Sequence, residues 1–360
     1  MEIKRYLDCY IDTTTCNLRC NYCYISLQHK FSGELYHPVH SPEEIRRALS
    51  KERLGGICLI NLCAGGETLL SPEVLPIIKE LTDEGHYVMV VTNGTVTKHF
   101  QLIRDTFSEE QKKRIFFKFS FHYAELKRLN MMNQYFDNIR MMRNEGCSFT
   151  CELTTSDDLI DEIPMIKKKV KEKLGAYCHV TIARDDRTDG IDHLSKLDWE
   201  EYKTTWKTFR SKLFAFKSHI FYKRRKDFCY AGDWTLYVNL STGDYSACNC
   251  GRRQGNIYTD KRLNFKAIGC CELPHCYNGH TWIVLGAIPR FTQITYADER
   301  DRVDQNGNHW LTPDFQDVFS SKLERSNREY PLLKKLMIIV EAKVSILVIK
   351  SVRFIKNSMR

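Results

Sequence analysis

Residues 6–14 (Tyr-Leu-Asp-Cys-Tyr-Ile-Asp-Thr-Thr) alternate and are β-prone, which predicts a first strand. Ser41-Pro42-Glu43-Glu44 supplies an N-cap, a proline at the first helical position and a glutamate three after the cap, and Ile45, Ala48 and Leu49 form the buried stripe of the helix that follows. Gly56 to Cys63 is a continuous apolar run, as a strand buried on both faces requires. Ser71-Pro72-Glu73 opens a second helix with Val74, Ile77, Ile78 and Leu81 at burial spacing, and Gly85 closes it. Strands are predicted again at His86–Val91, Ile115–His122, Cys147–Thr154 and Tyr177–Ala183. Between them lie a long helix lined by Leu126, Leu129, Met132, Phe136, Ile139 and Met142 and ended by Gly146, and another from Asp157 and Asp158 to Gly175. Strand–helix units in unbroken succession imply a parallel sheet with right-handed crossovers.

The pattern changes after residue 187. Residues 187–196 are polar and read as a linker. Asp198 caps a helix whose Trp199, Tyr202, Trp206, Phe209 and Leu213 recur at helical spacing, and Lys217 to Lys226 is basic. Leu236, Val238 and Leu240 alternate with polar residues, Ser241-Thr242-Gly243-Asp244 turns, and residues 244–247 return: a hairpin bracketed by Cys229 and Cys248. Residues 300–330 are polar and loop-like. Residues 331–356 are helix-prone and rich in Leu, Ile and Val, but Lys335, Glu341, Lys343 and Lys350 leave no uninterrupted apolar span of ~20 residues. That segment is expected to dock on the body, pair with another subunit or make peripheral contact with a membrane surface.

Composition narrows the class. A chain of 360 residues, 42% hydrophobic, has room for two domains or for one barrel with an appendage. Its net charge of +9 suits an anionic substrate, an acidic partner or an acidic membrane surface, and no nucleic acid is expected. Fifteen cysteines follow an N-terminus, Met-Glu-Ile-Lys-Arg, that lacks an apolar export region. Such a chain is expected to bind metal in a reducing compartment: cytoplasmic, with membrane association an open possibility. Cys9, Cys58, Cys63, Cys147, Cys151 and Cys178 lie in or beside strands and read as buried small hydrophobes.

The chemistry is concentrated just after the first strand. Cys16, Cys20 and Cys23 are spaced C-x3-C-x2-C with Tyr22 before the last. Three clustered thiolates suit an iron–sulfur cluster or zinc, though a structural zinc site wants a fourth ligand. The second strand ends in Ala64-Gly65-Gly66-Glu67, where two glycines permit close backbone approach and a glutamate can accept hydrogen bonds from a cation. This combination resembles the radical S-adenosylmethionine (radical SAM) family. The resemblance implies a 4Fe–4S cluster on Cys16, Cys20 and Cys23, whose open iron chelates SAM, with Gly65, Gly66 and Glu67 at the SAM amino group. It also implies SAM contacts from Asn93, Ser120 and Thr154, and offers Arg184 for the SAM carboxylate. The fold it implies is α/β: a partial (β/α)6 TIM-like barrel over residues 1–190. His122 and Asp185 are candidates for catalysis, against a structural role for the histidine and a solvated loop for the aspartate.

Residues 229–290 resemble the twitch extension, a shortened SPASM domain that binds one auxiliary 4Fe–4S cluster. The resemblance implies Cys229, Cys248, Cys271 and Cys276 as ligands, with Cys250 and Cys270 near enough to replace one of them. A zinc ribbon is the alternative, since four thiolates suit zinc too. Residues 191–228 would then be linker and helix, and 291–360 a polar segment with an amphipathic C-terminal helix. The family's reaction is reductive cleavage of SAM to a 5′-deoxyadenosyl radical that takes a hydrogen atom from substrate, with electrons from a donor such as flavodoxin or ferredoxin. The cysteine loop begins at residue 16, ahead of which peptide-modifying relatives often carry a recognition domain, so the expected substrate is small and polar: a sugar, aminocyclitol or nucleotide-linked glycan. Peptide or protein modification is the alternative within the class. A cluster- or zinc-binding regulatory protein is the non-enzyme alternative.

Overall fold

A computed structural model describes residues 2–344 apart from 189, 249, 250, 252, 272, 277 and 278. Six strands alternate with helices: β1 (Arg5–Ile11), β2 (Cys58–Ala64), β3 (Tyr87–Thr92), β4 (Ile115–Ser120), β5 (Ser148–Thr154) and β6 (His179–Thr181). They pair in chain order, each parallel to the next. A two-stranded ribbon follows, β7 (Arg184–Asp185) with β8 (Asp192–His193), the second strand falling within the stretch expected to be linker. The hairpin strands β9 (Thr235–Asn239) and β10 (Asp244–Ser246), with β11 (Arg253–Asn256), extend the main sheet: β9 pairs parallel to β1, so the order is β11-β10-β9-β1-β2-β3-β4-β5-β6. The fold is therefore mixed α/β around a largely parallel sheet.

Because successive strand residues point to opposite faces, each strand feeds two cores. Leu7, Cys9 and Ile11, Cys58, Ile60 and Leu62, Val88 and Val90, Phe117 and Phe119, and Phe149, Cys151 and Leu153 bury one face under the crossover helices. On the other face Tyr6, Leu59, Tyr87, Met89 and Phe116 pack against Trp282, Tyr296, Phe315 and Phe319. These plug the face near the start of the strands. Toward the strand ends the same face turns polar, with Asp8, Asn61, Lys118, Ser120, Glu152 and Thr154 at the positions of matching parity.

Three segments depart from the sequence pattern. The long helix predicted over 126–146 is two, Tyr123–Arg128 and Met132–Asn144, with Asn130 at φ 54° between them. Asparagine tolerates the left-handed region better than most residues, which lets the chain turn there. The aromatic helix after Asp198 likewise breaks at Arg210, φ 51°, before a second helix, Lys212–Ile220. Residues 300–330, expected as loop, include the helices Pro313–Ser320 and Leu323–Ser326, whose Phe315, Val318, Phe319 and Leu323 are wholly buried.

Candidate functional site

The cysteine loop leaves the C-terminal end of β1 and is fastened to the ends of the neighbouring strands. The Gly66 N–H donates to the Thr13 carbonyl and the Glu67 N–H to the Thr15 carbonyl, both at 2.9 Å. This explains the glycine pair: a Cβ on Gly66 would run into the Thr15 carbonyl, and one on Gly65 would sit 2.9 Å from the Tyr10 hydroxyl and 3.0 Å from the Thr13 carbonyl. The close approach that the glycines permit is to the chain's own strap, Thr13–Thr15, from which the cysteines hang.

Glu67 is 2% exposed, and its carboxylate is engaged by the protein. It accepts from the Leu69 N–H (2.9 Å), the Thr92 hydroxyl (2.6 Å) and the Asn93 N–H (2.6 Å). Burial raises its pKa, against the downward pull of those three donors. The side chain ties the ends of β2 and β3 together. Asn93 extends the link: its amide donates to the Asn17 side chain (2.8 Å) and lies 3.9 Å from the Cys16 sulfur, while Asn17 donates to the Thr95 hydroxyl (2.8 Å). The Arg19 N–H donates to Glu125 at 2.8 Å, and Glu125 is itself held by Arg128. Tyr22 meets His122 through its hydroxyl, 2.7 Å from Nδ1.

Burial pushes Cys16 up to about 11 and Cys20 higher still, with Cys23 adding to both. The Leu18 N–H reaches the Cys16 sulfur at 3.4 Å. Three soft donors in a partly buried loop, reluctant to ionise alone, fit a group that brings its own positive charge. No three His, Cys, Asp or Glu side chains among the described residues are gathered tightly enough for a single metal ion. An iron–sulfur cluster is wider than one ion and spaces its ligands further apart.

The remaining candidates sort by position. Ser120 and Thr154 stand half-buried at the ends of β4 and β5, on the polar face. Burial, with Lys118 nearby, lowers the pKa of His122 to about 4, so its neutral ring positions Tyr22. Asp185 is held in a two-pronged pair by Arg187 (2.7 and 2.8 Å), and Arg184 faces Asp186 at 3.7 Å. Cys63 differs from the other strand cysteines: it sits on the polar face and its thiol donates to Asp8 at 3.3 Å. Two residues of this face carry more chemistry than the sequence suggested. Lys118 and Glu152 form an ion pair at 3.2 Å, and the signal was a lysine set between phenylalanines at the inward parity of β4.

A second group of cysteines lies beyond the hairpin. Cys229 exchanges backbone hydrogen bonds with Gly269 (2.8 and 3.1 Å), and the Cys248 carbonyl accepts from the Ser246 hydroxyl and the Gly251 N–H. Burial raises the Cys229 thiol to about 12, and Cys271 adds to it. Cys276 is raised well above the usual thiol range by burial and by Cys229, Cys271 and Cys248 together. These four thiols therefore share one electrostatic neighbourhood. Cys270 is half-buried beside them, and Cys250 lies outside the described residues.

The segment that contains the first of these groups resembles known proteins. Residues 10–154 match the family model described as Radical SAM superfamily. A stretch of 88 residues is 28% identical to 7-carboxy-7-deazaguanine synthase of Thermoplasma acidophilum, covering 24% of this chain and 38% of that protein. Among solved structures, Streptococcus suis SuiB bound to S-adenosylmethionine superposes with a TM-score of 0.51 at 14% identity, covering 72% of this chain and 65% of SuiB. anSMEcpe with bound AdoMet gives 0.50 at 16% identity, covering 71% and 78%. The chain thus spans less than two thirds of SuiB and of the deazaguanine synthase, and the structural likenesses establish a shared fold.

Proposed function

We propose that this chain, whose residues 10–154 match the Radical SAM superfamily model, is an enzyme that cleaves SAM reductively and abstracts a hydrogen atom from a small polar substrate. The observation that carries the proposal is the strap Thr13–Thr15, clamped by the Gly65-Gly66-Glu67 turn so that Cys16, Cys20 and Cys23 gather at the C-terminal end of the parallel sheet. Ligands bind outside the carboxyl ends of strands in such sheets. A 4Fe–4S cluster held by those three thiolates supplies electron transfer to SAM and hence a 5′-deoxyadenosyl radical.

The chain's own work is placement. Gly65 and Gly66 leave room beside the strap, and Glu67, Asn93 and Asn17 fix the loop against β2 and β3. Ser120 and Thr154 offer hydroxyls to the nucleoside from the polar face. Shielding from water falls to the aromatic plug beneath and to Tyr10, Tyr24 and Tyr237 around Asp8 and Cys63. Cys229, Cys248, Cys271 and Cys276 would hold an auxiliary cluster of the twitch type, supported by their shared neighbourhood. Flavodoxin or ferredoxin would supply electrons.

Peptide modification is the second reading, favoured by the likeness to SuiB, which has been solved bound to its precursor peptide SuiA. The helix near the C-terminus adds a membrane-surface contact to the proposal. Leu332 and Leu333 are 71% and 76% exposed, with Leu336, Met337, Val340 and Val344 also in solvent, interspersed with lysines. No helix among the described residues is long and apolar enough to cross a membrane. The decisive experiment is anaerobic reconstitution with iron and sulfide, followed by dithionite and SAM. 5′-Deoxyadenosine is expected; its absence from fully loaded protein rejects the enzymatic reading.

A further inference from the structure

Below Ser120 and Thr154, on the same face of the sheet, lies a buried cluster of charge. Glu152, on β5, is paired with Lys118 of β4 at 3.2 Å and with the Arg300 guanidinium. Lys217, from the helix Lys212–Ile220, donates to the Thr181 hydroxyl at the end of β6. The other Arg300 amino nitrogen lies 3.0 Å from His280 Nε2. Arg300 is 1% exposed and Glu152 4%, so the cluster is nearly out of water.

Its charges do not balance. Three cations, Lys118, Lys217 and Arg300, stand against two carboxylates: Glu152, whose pKa Lys118, Arg300 and Lys217 hold well below the usual range in spite of burial, and Asp8, which burial raises and Lys118 pulls down. Glu299 lies alongside, but burial raises it to about 8, so it is mostly protonated at neutral pH. Burial and the neighbouring cations bring Lys217 down to about 7, as expected of a lysine that lacks sufficient negative charge nearby. Several polar atoms are also left without partners: Arg300 Nε, His280 Nδ1 and both Glu299 oxygens. Buried donors and surplus buried charge are expensive to leave uncompensated, and perturbed groups of this kind concentrate where a ligand completes the set.

We propose that Lys118, Lys217 and Arg300 form an anion subsite at the floor of the active site, which takes a carboxylate or phosphate group of the substrate. Lys118, the most exposed of the three, faces the ligand directly, while Lys217 and Arg300 add positive potential from behind in a medium that screens it poorly. The inference rests on the enzymatic reading only in assigning the anion to a substrate. It narrows that substrate: a neutral sugar or aminocyclitol leaves the cluster uncompensated, whereas an acidic sugar, a sugar phosphate or a carboxylated heterocycle completes it.

The test uses the anaerobically reconstituted full chain and two probes, inorganic phosphate and malonate, titrated by calorimetry against chloride at equal ionic strength. At least one should bind the unaltered protein specifically. Lys217→Met and Lys118→Gln should each weaken that binding at least 10-fold while keeping the far-ultraviolet dichroism of the parent. Lys118→Gln, at a partly exposed position, serves if Lys217→Met fails to fold. The spectral change on adding SAM should be unaltered at saturating probe. No specific binding of either probe, or equal binding by the variants, overturns the subsite. Competition between probe and SAM overturns its assignment to substrate and gives the cluster to the SAM carboxylate instead. None of these readings needs SAM cleavage, so 5′-deoxyadenosine formed without any probe response sinks this inference alone.

Discussion

Cys16, Cys20 and Cys23 come from one short loop, and most of what fixes that loop is supplied from elsewhere: two carbonyls held by the Gly65-Gly66-Glu67 turn, Asn93 and Thr95 at the end of β3, Glu125 after β4. Cys229, Cys248, Cys271 and Cys276 are brought from four points along a much longer stretch. Their backbone is tied by the Cys229–Gly269 bridge and by the bonds at the Cys248 carbonyl. The first group sits where a parallel sheet already positions backbone, so the protein can pre-build it. The second, at the sheet's edge, depends more on whatever the thiols bind. Metal and fold should therefore be weakly coupled at the first site and strongly coupled at the second.

The sharpest way to break the comparison is Gly66→Ala. A Cβ there collides with the Thr15 carbonyl, and the strap carrying the cysteines has to move. A displacement of the order of 1 Å costs about 100-fold in a reaction that depends on placement. Formation of 5′-deoxyadenosine should fall by about that factor, with iron at the second group unchanged. Full activity in this variant would mean that the turn does not hold the loop. The next effect is on stability. Cys229→Ala with Cys276→Ala, or chelation of the protein, should loosen residues 229–276 in hydrogen exchange while β1 to β5 stay protected. If bound metal contributes about 2–3 kcal/mol, the thermal midpoint drops by roughly 5 °C or more. An equal loss of protection around both groups would erase the distinction.

A third measurement bears on the buried charged cluster. Glu299 has a folded pKa of about 8, raised by burial against Arg300 and Lys217, with Glu152 and Lys322 also in range. Its unfolded value is the ordinary carboxylate one. Between the two pH values the unfolded chain has lost the proton and the folded chain keeps it, so stability falls as pH rises through that window and levels off above about 8. Glu299→Gln removes the ionisation. Its thermal midpoint should match the parent near pH 4.5 and exceed it progressively toward pH 8; a gap that does not grow with pH would show that Glu299 ionises normally.

Much of the first region was legible in the sequence, because the constraints there are local. The apolar runs of β2 to β5 and the capping box at Ser41 fell as expected, and C-x3-C-x2-C followed by Gly-Gly-Glu marked the loop and its clamp. That Glu67 ties the end of β2 to that of β3 was not legible. A carboxylate that fastens β2 to β3 is indistinguishable in sequence from one that faces a ligand. The charged floor was hidden for a different reason: Lys118, Lys217 and Arg300 are far apart in the chain, and only the shared parity of β4 and β5 and the packing of the helices Lys212–Ile220 and Tyr296–Arg300 brings them together. The helices at 313–326 were missed because their buried stripe is short and set among polar residues.

The smallest expected effect on the fold comes from the exposed apolar stripe near the C-terminus. Leu332, Leu333, Leu336 and Met337 are exposed on a helix anchored by Tyr330, whose hydroxyl donates to Asp233, and by Lys335, which pairs with Glu329 at 2.6 Å. Replacing the four with serine removes little buried apolar surface, so unfolding free energy should change by only about 0.5 kcal/mol. Binding to vesicles is a different matter, since each apolar side chain transferred from water to the lipid interface contributes through its buried area. The parent should bind vesicles containing anionic lipid and release them at high salt, as expected where lysines assist an apolar face. The four-serine variant should lose that binding without losing SAM cleavage. Equal partitioning of both proteins would remove the membrane contact from the proposal and leave the exposed stripe to be covered by another protein surface.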